Sequence, residues 1–179
     1  QDELTRSHAV APRHGHLPLD RAAWLVCEVP PGAELICTLA ASTPGETVCV
    51  VGLGGIGLDA VNAANIAGAC KIIALDPVAE KRVLATKLGA THVIDALSET
   101  AADEVVAETK GGVHHAIEAV GRPQSAATAV KVLRRGGTAT ILGMMPLAEK
   151  VGLSALDLLG GKELQGGLVG GTRFPVDLP

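Results

Sequence analysis

With 179 residues, 47% of them hydrophobic, the chain is long enough to bury one substantial core and short for two. Its 15 Lys and Arg against 19 Asp and Glu leave a formal charge of -4, which argues against both a nucleic-acid-binding basic stripe and a strongly acidic tail. No apolar run approaches the roughly 18–20 residues of a membrane helix, and the Gln-Asp-Glu start lacks the pattern of a signal segment. A cytoplasmic protein without nucleic-acid or membrane partners is the expectation.

In chain order, residues 1–20 mix charges, Pro12, Pro18 and three of the six histidines without a sustained period, and read as an irregular leader. After the Pro30-Pro31 breaker, residues 33–41 place Leu35, Ile36 and Leu39 on one face and predict a short helix. From Pro44-Gly45 onward, apolar runs of about five residues alternate with longer Ala-rich stretches. Strands are predicted at 47–51, 71–75, 91–94, 115–118, 138–142 and 163–168. Helices are predicted at 55–67, 79–88, 100–110, 124–133 and 154–159. Runs such as Val48-Cys49-Val50-Val51 are apolar at every position, as a sheet covered on both faces demands. The fold class expected is α/β, a doubly wound parallel six-stranded Rossmann sheet with helices on both faces, spanning residues 21–179.

Cys27, Cys37, Cys49 and Cys70 are spaced 10, 12 and 21 residues apart, with no Cys-x-x-Cys pair, and predict reduced thiols. The chain does not begin with Met and holds only Trp24 and Phe174 as aromatics, which reads as a piece of a longer protein.

The segment "VVGLGGIGLD" carries the first chemistry. Gly52, Gly54 and Gly57 make Gly-x-Gly-x-x-Gly between a strand and a helix, and Asp76 stands 19 residues past Gly57 at the end of the second strand. Those are the three requirements of a dinucleotide fingerprint. Gly52 permits the tight turn, Gly54 lets backbone N–H groups approach a pyrophosphate, and Gly57 lets helix and strand pack closely. The helix opening near Gly55 turns unpaired N–H groups and its positive dipole end toward that anion. No Gly-Lys-Ser/Thr follows, which argues against a nucleoside-triphosphate loop. Asp76 would accept ribose hydroxyls and repel a 2′-phosphate about 4 Å away by roughly 1–4 kcal/mol. NAD(H) is therefore expected over NADP(H) by roughly tenfold or more. The plainer alternative is a tight βα turn with Asp76 capping the helix near Ala79. Lys81 either reaches back to the ribose or sits on a solvated helix face beside Glu80 and Arg82.

These residues resemble the coenzyme domain of zinc-containing medium-chain alcohol dehydrogenases. "PGETVCVVGLGGIGLDAVNAANIAGACKIIALD", "EKRVLATKLGATHVID", "GGVHHAIEAVGR", "LRRGGTATILGM" and "LLGGKELQGGLVGG" are similar to successive family blocks in the same order, covering about residues 18–179. The resemblance implies that Gly52, Leu53, Gly54, Gly55, Ile56 and Gly57 surround the pyrophosphate, and that Asp76 and Lys81 hold the adenosine ribose. Val120, Gly121 and Arg122 would line the far side of the cofactor, and Leu142, Gly143 and Met144 the nicotinamide side. Gly167, Leu168 and Val169 would flank the nicotinamide ribose. Independently, Gly121 and Gly143 follow strand ends on the side where open parallel sheets bind ligands, although ordinary turn chemistry explains them equally.

The resemblance also implies a catalytic zinc, for which Cys27 in "AAWLVCEVP" matches one ligand, with Val26 and Glu28 where the family usually has glycines. A catalytic zinc needs about three protein ligands and an open position, and a small buried thiol is the plainer reading of Cys27. His14, His16, His114 and His115 lack a nearby Cys or carboxylate at ligand spacing and read as surface or strand-end histidines. The family's remaining ligands and proton relay belong to a catalytic domain for which this length has no room. No catalytic residue is therefore expected in this chain, which would bind NAD without turnover.

Two other classes compete. An S-adenosylmethionine-dependent methyltransferase also uses a glycine turn and a later acid, but usually has an acid just before the first glycine, where Val50 and Val51 stand. A non-catalytic nucleotide-binding module is the third. The last strand lies at a sheet edge with apolar Leu164 and Leu168, and the resembling family pairs through this strand, so a homodimer through residues 163–169 is expected.

Overall fold

A computed structural model of the chain describes residues 45–167. Cys27, Leu168, Val169, the leader and the helix predicted over residues 33–41 lie outside them.

Six strands alternate with five helices among the described residues: β1 (Thr47–Val51), α1 (Gly55–Ile66), β2 (Lys71–Leu75), α2 (Ala79–Lys87), β3 (His92–Ile94), α3 (Ala101–Glu108), β4 (Val113–Glu118), α4 (Pro123–Lys131), β5 (Leu133–Ile141), α5 (Ala155–Leu159) and β6 (Glu163–Gly166). The strands form one sheet in the order β3-β2-β1-β4-β5-β6, and every neighbouring pair is parallel. This is the doubly wound arrangement expected from the alternation of apolar runs and Ala-rich stretches. The chain reverses direction across the sheet between β1 and β4, and the turns leaving those strands open a crevice there.

The apolar strands explain the two-sided core. Along β1, Val48 and Val50 pack on one face with Ala60, Val61 and Ala64 of α1 and Ala85 of α2. Cys49 and Val51 pack on the other with Val105 of α3 and Ala129 and Val130 of α4. The period of two in β1 thus feeds both layers at once. Burying each of these valines stabilises the fold by about 1.5–3 kcal/mol.

All boundaries but one fall within two residues of the predicted ones, and the exception has a local cause. β5 begins at Leu133 rather than 138, because the pairing jumps from Val113–Leu133 to His115–Thr138. Exposed Arg134 and Arg135, with Gly136 at φ 72°, form the excursion between them and break the apolar pattern. α4 starts at Pro123, where the missing N–H costs nothing because the first turn has no intrahelical acceptor for it. At the opposite end of the sheet from the crevice, the α3–β4 connection holds Lys110 at φ 54°, with Gly111 and Gly112 also at positive φ.

Candidate functional site

The turn after β1 is built as the glycine spacing requires. Gly52 takes φ 93° and donates its N–H to the Leu75 carbonyl at 2.8 Å, bending the chain off the sheet. A Cβ at Gly57 would lie 1.8 Å from the Gly52 carbonyl oxygen, so only glycine lets α1 approach β1 this closely. A Cβ at Gly54 would meet nothing within 4 Å among the described residues. Packing of the described residues therefore leaves open space beside Gly54.

Gly54 caps α1 without a side-chain hydrogen bond, and the first turn of α1 carries no acidic residue. Its amides and the positive end of the helix dipole suit an anion. Gly55 opens α1, Ile56 follows it, and Leu53 buries its side chain in the core beneath the turn.

Asp76 sits at the end of β2 and is only 5% exposed. Its Oδ2 accepts the Leu53 N–H at 2.8 Å and its Oδ1 accepts the Val78 N–H at 2.8 Å. Hydrogen bonds to a charged acceptor contribute about 1.5–3 kcal/mol each. The carboxylate thus ties the glycine turn to the entry of α2. The capping alternative is met in part, since Asp76 bonds Val78, the N-cap residue of α2, but does not itself occupy that position. Lys81 Nζ lies 4.0 Å from Oδ2 with its side chain nearly half exposed, a weak pair in solvent. Arg82, absent from the expected site, donates to the Asp76 carbonyl at 2.6 Å and lies 3.7 Å from Asp95, bracing the ends of β2 and β3 together.

A cavity of about 580 Å³ opens along these turns, and its lining includes Gly52, Asp76, Lys81, Val120 and Arg122. Five predicted residues from three separate segments are thereby brought to one wall. The strand ends Val51 and Leu75 also line it, as do Pro77, Val78, Ala96, Leu97, Gln124, Ser125 and Thr128, which were not singled out from the sequence. A signal for two of them existed: Ala96 and Leu97 follow β3, and all parallel strands present their C-terminal ends on one side.

Leu142, Gly143 and Met144 follow β5 outside that cavity, yet touch its border. Gly121 has φ 81°, and a Cβ on it would lie 2.5 Å from the Met144 carbonyl oxygen. Gly167 donates to the Ile141 carbonyl at 2.9 Å, and a Cβ there would meet Leu142 at 2.5 Å. The turns after β1, β2, β4 and β5 therefore form a continuous border at one end of the sheet.

His114 and His115 face other partners. His114 lies against Thr47 and Arg134, and His115 Nε2 lies 2.9 Å from Glu46. Burial first, and then the Arg134 guanidinium, hold the His114 ring below the usual histidine range, partly offset by Glu46. Among the described residues no three His, Cys, Asp or Glu side chains gather where a metal ion could be held, so these residues supply no ligand set for the zinc that the resemblance implies. No described helix is long and apolar enough to cross a membrane.

Comparison with known proteins gives a consistent result. The family model described as zinc-binding dehydrogenase matches residues 55–178. Alcohol dehydrogenase-like 5 of Arabidopsis thaliana is 37% identical over 167 residues, which is 91% of this chain and 43% of that protein. The crystal structure of benzyl alcohol dehydrogenase from Acinetobacter calcoaceticus superposes with a TM-score of 0.86 at 30% identity, covering 94% of this chain and 47% of that one. A structure bound to NADP from Sinorhizobium meliloti 1021, named for a zinc-binding dehydrogenase, gives a TM-score of 0.70 at 33% identity over 79% of this chain and 43% of that one. The chain thus spans less than half the length of these relatives.

Proposed function

The chain belongs to the zinc-binding dehydrogenase family, and from that premise we propose that residues 21–179 are the NAD(H)-binding part of an alcohol dehydrogenase, preceded by an irregular leader. The observation that carries the reading is the open space beside Gly54, where a Cβ would meet no atom of the described residues within 4 Å, at the N-terminus of α1 and next to a turn pinned by Asp76. A pyrophosphate fits that space because helix amides and the dipole favour it without a lysine.

Each predicted residue then has a task. The turn of Gly52, Leu53, Gly54, Gly55, Ile56 and Gly57 holds the pyrophosphate by main-chain amides. Asp76 and Lys81 orient the adenosine ribose, while Val120 and Arg122 close the cavity opposite them. Gly121 permits the close approach of the turns after β4 and β5, where Leu142, Gly143 and Met144, with Gly167, Leu168 and Val169, border the nicotinamide. When bound, the nicotinamide supplies the hydride acceptor or donor for interconverting an alcohol and its aldehyde.

The catalytic step belongs to the complete enzyme, with zinc held elsewhere and Cys27 as one ligand at most. This chain by itself binds cofactor without turnover. A cytoplasmic setting and a homodimer through residues 163–169 belong to the same proposal. Support for the dimer comes from β6, which ends the sheet order and is exposed at all four positions.

The deciding experiment is titration of the purified chain with NADH, NADPH and S-adenosylmethionine. NADH binding roughly tenfold tighter than NADPH supports the assignment. Preference for NADPH, or for S-adenosylmethionine, overturns it.

A further inference from the structure

Glu118 ends β4 fully buried, and neither the glycine turn nor Asp76 gives it a task. Its Oε1 accepts the N–H of Val120 at 2.9 Å and that of Gly121 at 2.8 Å. Ser125 Oγ lies 2.6 Å from the same oxygen and 2.8 Å from the Arg122 carbonyl, so its single proton serves one of the two. The Glu118 main-chain carbonyl accepts the N–H of Leu142 at 2.8 Å and of Gly143 at 3.0 Å. One residue thus holds the turn after β4 with its side chain and the turn after β5 with its backbone.

The other carboxyl oxygen sharpens the point. Oε2 is the one buried side-chain polar atom among the described residues without a hydrogen-bond partner. It faces Gly143, where a Cβ would lie 2.7 Å from Oε2 and 2.0 Å from the Gly121 nitrogen. An acid with an orphaned oxygen is a poor choice for filling a core. Two successive amides that leave the sheet and meet no carbonyl among the described residues do need an acceptor at that point.

We propose that Glu118 is a positioning residue: it locks the turns after β4 and β5 into one rigid wall of the cradle and so fixes where the nicotinamide half of a dinucleotide lies. It touches neither substrate nor reacting atoms and acts through Gly121 and Gly143, where the turn after β4 meets the turn after β5. The inference rests on the dinucleotide reading above.

The test compares the full chain with its Glu118→Gln and Glu118→Asp variants, using NADH and AMP as probes. Gln keeps the reach and an acceptor for both amides, whereas Asp draws the carboxyl back by one methylene, about 1.5 Å. Glu118→Gln is expected within threefold of the unmodified chain for NADH. Glu118→Asp is expected to bind NADH at least tenfold more weakly and to lower the ratio of NADH to AMP affinity at least fivefold. Unchanged NADH affinity in Glu118→Asp, or parallel loss of both probes as a merely structural lesion gives, overturns the proposal. A chain that binds AMP and NADH equally well overturns it too, because no nicotinamide wall is then at work. A chain that binds neither removes the dinucleotide reading and this inference with it. Should Glu118→Asp not fold, amide exchange on the unmodified chain decides. Val120 and Gly121 exchanging as slowly as β4 support the clamp, and exchange at the rate of exposed turns overturns it.

Discussion

The Oδ2 of Asp76 accepts the Leu53 N–H at 2.8 Å, so the acid at the end of β2 is fastened to the glycine turn after β1. Asp76 therefore has two tasks in the proposed reading: it shapes the turn and it screens the ribose. Asp76→Ser should reduce repulsion of a 2′-phosphate, worth roughly 1–4 kcal/mol, while loosening the turn. Lys81 and Arg122 border the same cavity and would favour the extra phosphate once the acid is gone. The ratio of NADPH to NADH affinity should rise at least tenfold, read by fluorescence titration, and an unchanged ratio would refute the screening role.

Gly54 and Gly57 should separate binding from folding. Gly57→Ala places a Cβ 1.8 Å from the Gly52 carbonyl oxygen, and the overpacking should cost about 1–3 kcal/mol or more. Gly54→Ala meets nothing within 4 Å among the described residues, so its Tm should stay within the few degrees that an N-cap change of about 1 kcal/mol allows. Its NADH affinity should nevertheless drop at least tenfold, about 1.4 kcal/mol. Calorimetry and titration on the same two variants check both halves.

The exposed edge makes a separate prediction. Leu164 on β6 is 37% exposed on a strand with a neighbour on one side only among the described residues. Light scattering should give twice the chain mass at micromolar concentration, and Leu164→Lys should return the monomer. A monomer without the substitution would refute the dimer.

Cysteine reactivity should follow burial. Desolvation pushes the Cys49 thiol up to about 12, while Cys70 is exposed. Maleimide labelling of the native chain, mapped by peptide mass, should modify Cys70 within minutes and Cys49 only after denaturation.

Acid should weaken the fold from the histidine side first. His114 titrates below its unfolded value of about 6.5 because burial and Arg134 disfavour the charged ring. As the pH falls, the unfolded chain binds that proton before the folded one, so stability declines from about pH 6.5 down through the folded value. Glu108 has the other origin: the Lys71 hydrogen bond and nearby His92 lower its pKa, and its contribution is lost only below about pH 4.5. His114→Gln should flatten the dependence of Tm on pH between 7 and 5.5, measured by thermal melts.

How much was legible from residue order depends on what each residue signals. β1, α1 and β2 are written plainly, because continuous apolar runs, fixed glycine spacing and an acid at a strand end each have a direct physical meaning. The start of β5 is not, since Arg134-Arg135-Gly136 interrupts the pattern where the strand leaves and rejoins its register. Glu118 escaped notice for a different reason: a lone acid after apolar residues looks solvent-facing, and only the fold turns it inward toward two amides. Gln124, Ser125 and Thr128 enter the cavity wall through the pitch of α4, which no motif marks. Cys27, Leu168 and Val169 lie outside the described residues.

The two ends of this sheet offer different opportunities for engineering. The bend at Lys110, Gly111 and Gly112 already tolerates positive φ and lies at the far end from the crevice. A peptide tag or reporter loop inserted between Lys110 and Gly111 would extend into solvent and leave the cradle geometry intact. The bend could thus tether the chain to a surface with its cleft facing outward.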